Sequence, residues 1–164
     1  MTNYQLAQIN VAHMKYAATA IEMADFMNNL DRINQLAESS PGFQWRLKMD
    51  IDAPEILDVF GPGILVNMST WQDISSLHNY VFKTDHLQIM RRRREWFSHP
   101  GTPTSVLWWV PASTQPSLTM AKQRLEHLGI HGPSTRAFTF RKAYPPPPFQ
   151  NTGLSGFPDL CPAN

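Results

Sequence analysis

ILVNMSTW at Ile64–Trp71 leads into QDISSLHNYVFKTDHLQIMRRRREWF at Gln72–Phe97, and after a Pro/Gly-rich bend TSVLWWV follows at Thr104–Val110. Reading this stretch decides the fold. The first block alternates: Ile64, Val66 and Met68 on one side of a strand, Leu65, Asn67, Ser69 and Trp71 on the other. The middle block is helical. Asp73 suits the cap of a short helix through Phe82, and Thr84 or Asp85 suits the cap of a second, ending at Trp96. The last block is a strand in which Trp108 and Trp109 must face opposite sides of the sheet.

Upstream, Tyr4–Ala12 alternates as a strand, with Gln5, Ala7, Ile9 and Val11 opposite Tyr4, Leu6, Gln8 and Asn10. A helix is predicted from Ile21 to Ala37, where Met23, Phe26, Met27, Leu30, Ile33 and Leu36 recur at helical spacing. Phe43–Met49 alternates as a strand, and Asp50–Gly63 is expected to be a loop punctuated by Pro54, Gly61 and Pro62. Downstream, Pro116-Ser117 opens a helix expected to reach Leu128 and close at Gly129. Arg136–Arg141 is expected as a last short strand.

This order predicts an α+β domain: a ferredoxin-like antiparallel sheet over residues 1–143 with helices on one face. Residues 144–164 form a Pro-rich tail. The second face, expected to carry Gln8, Asn10, Arg46, Asn67, Ser69 and Trp71 among apolar neighbours, would then need a partner or a ligand.

Composition bounds the function. The 164 residues are 42% hydrophobic and 16% charged, enough for one domain with a real core. A net charge of +1 gives no reason to expect nucleic acid or an acidic membrane surface. The one cysteine, Cys161, excludes an intramolecular disulfide and a thiolate zinc cluster. No apolar run approaches the roughly 20 residues of a membrane span, and the N-terminus lacks signal-peptide blocks, so the expected location is cytoplasmic.

Motif chemistry is sparse. No nucleophile elbow, P-loop, dinucleotide fingerprint or zincin motif is present. The six histidines read as scattered, so no metal is expected. His86 at a helix start reads either as a general acid or base or as a structural cap, and His13 has the same two readings. Arg91–Arg94 step about 100° apiece, so at most one or two, Arg91 and Arg94 among them, can point inward. Trp96, Trp108 and Trp109 read as core or as an aromatic wall.

NMSTW at Asn67–Trp71, RRRREWF at Arg91–Phe97, LWWVPA at Leu107–Ala112, RLEHL at Arg124–Leu128 and AFTFR at Ala137–Arg141 resemble an uncharacterised family of the dimeric α+β barrel superfamily. The resemblance implies that two ferredoxin-like sheets pair in a homodimer, with one pocket per protomer and no bound cofactor. The haem-degrading branch is similar in the places of Asn10, Trp71 and His86, although here His86 stands farther from Trp71. The expected function is a cofactor-independent cyclase or isomerase, of pericyclase type, acting on an apolar small molecule. His86, Asn67 and Trp71 would be catalytic; Asn10, His13, Arg46, Ser69, Arg91, Arg94, Trp96, Trp108 and Trp109 would bind substrate. Alternatives are a cofactor-free monooxygenase of an aromatic polyketide and a non-catalytic small-molecule-binding or stress-response protein.

Overall fold

The computed structural model describes residues 3–148. Its elements are β1 (Tyr4–Met14), a 3₁₀ turn (Ile21–Met23), α1 (Ala24–Ser39), β2 (Phe43–Arg46), α2 (Pro54–Phe60) and β3 (Ile64–Trp71). Then come α3 (Ile74–Lys83), α4 (His86–Arg91), α5 (Arg93–Trp96), β4 (Phe97–Ser98), β5 (Ser105–Pro111) and α6 (Leu118–His131). Residues 149–164, most of the expected tail, lie outside the described residues, as do residues 1 and 2.

The sheet is antiparallel. β1 is central, with β3 on one side, and β2 lies outside β3. On its other side β1 pairs with β5 along Tyr4–Asn10 and with β4 at His13 and Met14, so β4 and β5 act as one interrupted edge. The resulting order, β2-β3-β1-β4/β5, is the ferredoxin-like arrangement that the sequence predicts.

Each sheet face carries helices. Ala7, Ile9, Val11, Met68, Val106, Trp108 and Val110 pack with Ile56 of α2 and with Leu118, Ala121, Leu125 and Leu128 of α6. Leu6, Trp71, Leu107 and Trp109 pack with Ile33 and Ala37 of α1 and Leu77 and Tyr80 of α3. A third cluster, Met23, Phe26 and Trp96, continues the α1 side past α5. The two helices of the ferredoxin-like unit, α1 and α3, share one face, whereas α2 and α6 cover the second face, expected to be bare of helices.

The polar set must be moved accordingly. Gln8, Asn10, Asn67 and Ser69 share the face of Leu6 and Trp71, which α1 and α3 cover, and not the opposite one. Strand alternation says which residues share a face but not which face the helices choose.

Local chemistry explains the other departures. Pro54 starts a helix at its first position rather than breaking a chain, and Ile56 anchors it against the sheet, so α2 occupies the expected loop. β2 ends at Arg46, past an irregularity between Phe43 and Trp45. Gly129 sits inside α6, and Gly132, at φ 72°, provides the left-handed exit. The expected strand at 136–141 reduces to isolated bridges: Phe138 with Leu107, Ala137 with Ser134, and Thr139 with Lys142. Two helix starts agree: Asp73 accepts from the Ser76 N–H at 2.8 Å, and Ser117 accepts from the Met120 N–H at 3.1 Å.

Candidate functional site

Between the two apolar clusters on the α1 side of the sheet lies a polar band. Register sets Asn10 opposite Asn67, Gln8 opposite Ser69, and Leu6 opposite Trp71. Trp71 is fully buried, and its indole N–H donates to Ser69 Oγ at 2.8 Å. The Gln8 amide nitrogen donates to the same Oγ at 2.9 Å and to Asn67 Oδ1 at 2.8 Å. An indole nitrogen can only donate, so the direction at Ser69 is settled. Its oxygen receives two N–H groups and keeps its own proton to give.

The consequence falls on Asn67. Its carbonyl oxygen is held by Gln8, which directs its NH₂ away from the network. Gln8 and Ser69 are buried, whereas Asn67 and Asn10 are exposed in the middle of a sheet face that helices otherwise cover. The helix layer therefore leaves a gap, with carboxamides at its floor.

A cavity of about 70 Å³ opens at Asn67, just past the Arg46–Ser69 end of the β2–β3 ladder. Leu30 and Asn34 of α1, Arg46, Met49, Ile51 and Leu65 are among the residues around it. Drug-sized ligands occupy roughly 300–1,000 Å³. This cavity is well below that range and adjoins the open gap at Asn67.

Charge in the cavity is balanced. Arg46 donates from Nε to Glu38 at 2.6 Å and from a terminal nitrogen to the Leu47 carbonyl at 3.3 Å. Lys48 also reaches Glu38, at 3.2 Å. Arg46 first and Lys48 second hold the Glu38 carboxyl below its ordinary pKa, so it stays ionised opposite the guanidinium. Among the described residues no carboxylate or imidazole lines the cavity, which is bordered by apolar side chains, two asparagines and Arg46.

The expected site residues divide. Asn67 and Arg46 line the cavity; Asn10 and Ser69 adjoin Asn67 on the same face. Trp71 shapes the site through Ser69 while being packed between Phe43 and Tyr80. His86 is one ring farther out: it lies against Tyr80 at 4.9 Å, with Nδ1 3.3 Å from the Val81 carbonyl. Burial pushes its pKa down, and the Val81 bond offsets this in part.

Others lie elsewhere. Trp108 is on the opposite face, in the α2/α6 core, and is not a wall of this gap. His13 is on that opposite face too, by its pairing with Ile64. Trp109 stands at the far end of the α1 face, where its N–H donates to the Tyr144 carbonyl at 2.9 Å. Trp96 is a core residue against Phe26, with the Arg92 guanidinium 4.7 Å from its ring centre. Arg91 and Arg94 are exposed.

The sequence does not single out Asn34, and it places Gln8 on the polar face without a role in the site. Gln8 carried a signal: an amide between Leu6 and Ile9 in a buried strand needs partners.

With this geometry in view, the chain belongs to the family described as a domain of unknown function, DUF3291, which matches residues 5–153. No curated protein matches it. Among solved structures it is similar to a protein of unknown function, NE2512, from Nitrosomonas europaea: 15% identity, 70% of this chain, 97% of that chain, TM-score 0.46. It is also similar to PA3566 from Pseudomonas aeruginosa, at 11% identity, 68% of this chain, 96% of that chain and TM-score 0.47. A further similarity is to SnoaB, a cofactor-independent oxygenase from Streptomyces nogalater: 14% identity, 68% of this chain, 95% of that chain, TM-score 0.45. No helix of the described residues is long and apolar enough to cross a membrane.

Proposed function

We propose that the gap at Asn67 is the substrate site of a cofactor-independent cyclase acting on a mostly apolar small molecule that bears a carbonyl. The observation that carries this reading is the orientation of Asn67: Gln8 holds its oxygen at 2.8 Å, leaving its N–H groups to meet a ligand oxygen. A preorganised donor of this kind stabilises charge that develops on a carbonyl as the reaction proceeds. Leu30, Met49, Ile51 and Leu65 supply apolar walls that favour a folded conformer of a flexible substrate.

The lining also selects among reactions. Among the described residues it contains no side chain that works as a general base near neutral pH, so ring closure without net proton transfer, of pericyclic type, suits it better than proton-shuttling isomerisation. Such a closure is an isomerisation: bonds rearrange within one molecule and no co-reactant is consumed. Arg46, neutralised by Glu38, matches an uncharged substrate.

The lack of a base equally favours a second reading, a receptor that binds such a molecule without converting it. A cofactor-free monooxygenase is the third. A homodimer belongs to the proposal as well, with the exposed Leu57 of α2 and Ile130 of α6 as apolar surface for a partner.

The test is to incubate the protein with polyene carbonyl compounds and follow both product and dissolved oxygen. Cyclised isomer formed without oxygen uptake supports the cyclase, and ligand recovered unchanged supports the receptor. Oxygen consumed mole for mole with substrate would replace both with the monooxygenase. Equilibrium sedimentation decides the dimer, and a monomer at micromolar concentration removes it from the proposal.

A further inference from the structure

At the end of α6, on the far side of the sheet from Asn67, His127 and His131 lie one helical turn apart, with ring centres 4.5 Å from each other. Ser134, in the following turn, places its Oγ 3.3 Å from His127 Nε2. We infer that His127, His131 and Ser134 form a binding site for a divalent first-row transition metal, with copper(II) the best-held ion.

The distances are also those that a shared ion would need. Two imidazoles bound side by side to one metal hold their ring centres about 4.5 Å apart, because each centre stands about 3.2 Å from the ion. Two ligand atoms, each about 2.1 Å from the ion, are about 3.0–3.4 Å apart, which the Ser134–His127 separation matches. Without a metal the same pair is a hydrogen bond of 3.3 Å. The i, i+4 spacing is the one by which a helix presents two imidazoles to a single metal.

The turn is preformed. Ser134 and Ala137 exchange backbone hydrogen bonds at 2.8 and 3.3 Å, and the Arg136 N–H donates to Ser134 Oγ at 3.3 Å. The third ligand position therefore needs no loop ordering when a metal arrives. Among the described residues no group of three or more His, Cys, Asp or Glu side chains is placed to hold a metal, so water completes this coordination. Arg136 and Arg124 face His127 and weaken the binding of any cation there. Few protein ligands beside two guanidiniums make a labile site, ordered by the intrinsic affinity series with copper(II) ahead of nickel(II) and zinc(II).

The experiment uses the full chain without affinity histidines, titrated calorimetrically with copper(II), nickel(II) or zinc(II) at pH 7.5. One equivalent of copper should bind, more tightly than nickel or zinc. His127→Gln and His131→Gln should each weaken copper at least tenfold, and Ser134→Ala should weaken it less. These side chains are on the surface, and circular dichroism of each variant establishes that it folds. In an NMR titration, copper broadening should be centred on the His127 and His131 imidazoles. Undiminished copper affinity in His131→Gln, or broadening centred on His13, His78, His86 or His99, would overturn the site.

Discussion

Across the β1–β3 ladder, the Gln8 amide nitrogen donates to Asn67 Oδ1 at 2.8 Å, joining a buried strand residue to an exposed one. The same nitrogen donates to Ser69, which also receives the Trp71 indole N–H. Three side chains of β3, spaced two apart, are thus ordered by one amide on β1. The band holds its shape because each nitrogen hydrogen placed in the interior has an acceptor.

Replacing Gln8 with leucine tests that ordering. Ser69 loses a donor and Asn67 loses its orientation, both beside a buried sheet, so Gln8→Leu should cost about 1–3 kcal/mol. In a domain of this size each kcal/mol lowers the melting temperature by about 2–4 °C. Ligand affinity at Asn67 should fall as well. Unchanged melting and unchanged binding would show that the network orders nothing.

Asn67→Asp separates donor from shape. Aspartate has nearly the volume of asparagine but accepts only, so it removes the N–H groups that meet a ligand carbonyl and places a charge there instead. The position is exposed, so stability should change by about 0.5 kcal/mol or less. Turnover should drop about 100-fold or more, the usual effect of removing a preorganised donor. A variant that melts normally and turns over at the parent rate would locate the chemistry elsewhere.

How much of this was legible beforehand follows from which interactions are local. Alternation at Tyr4–Ala12 and Ile64–Trp71 predicts face sharing, because a strand's period is two, and Asn10, Asn67, Ser69 and Trp71 do share a face. That the face lies under α1 rather than opposite it depends on long-range packing of Ile33 and Leu77, which no window of sequence contains. α2 is short, with Ile56 its one buried residue, so it offers no periodicity to detect. The role of Gln8 needed the register that sets it beside Asn67 and Ser69. His127 and His131 stood in the sequence at metal-ligand spacing, but the turn that brings Ser134 to them did not.

Gly42 provides a test of the join between α1 and β2. It sits at φ 82°, and a Cβ there would run into the Ser76 side chain at the start of α3. Its carbonyl accepts the Gln72 N–H at 2.7 Å, so the turn cannot simply back away. Gly42→Ala should destabilise by about 1–3 kcal/mol, combining left-handed strain with the clash. Gly61→Ala and Gly63→Ala share the positive φ but meet open space, and should cost less. Equal urea midpoints for the three variants would contradict the packing of this turn on α3.

Acidification should weaken the fold in two separate ranges. Burial lowers the folded-state pKa of His86, the Val81 carbonyl opposing it in part, and His127 is lowered too, by desolvation first and then by His131, Arg136 and Arg124. The unfolded chain takes up these protons near the ordinary histidine pKa of about 6.5, before the folded chain does. Stability is therefore complete above that value and lost as pH falls toward the lower folded pKa. Glu38 and Glu95, held down chiefly by Arg46 and Arg92 respectively, add a further loss only below the ordinary carboxylate range. Urea midpoints should fall between pH 7.5 and pH 5.5, and His86→Gln, which stays neutral throughout, should flatten that fall. Parallel curves for the parent and His86→Gln would mean that His86 protonates as readily in the folded chain as in the unfolded one, against its packing on Tyr80.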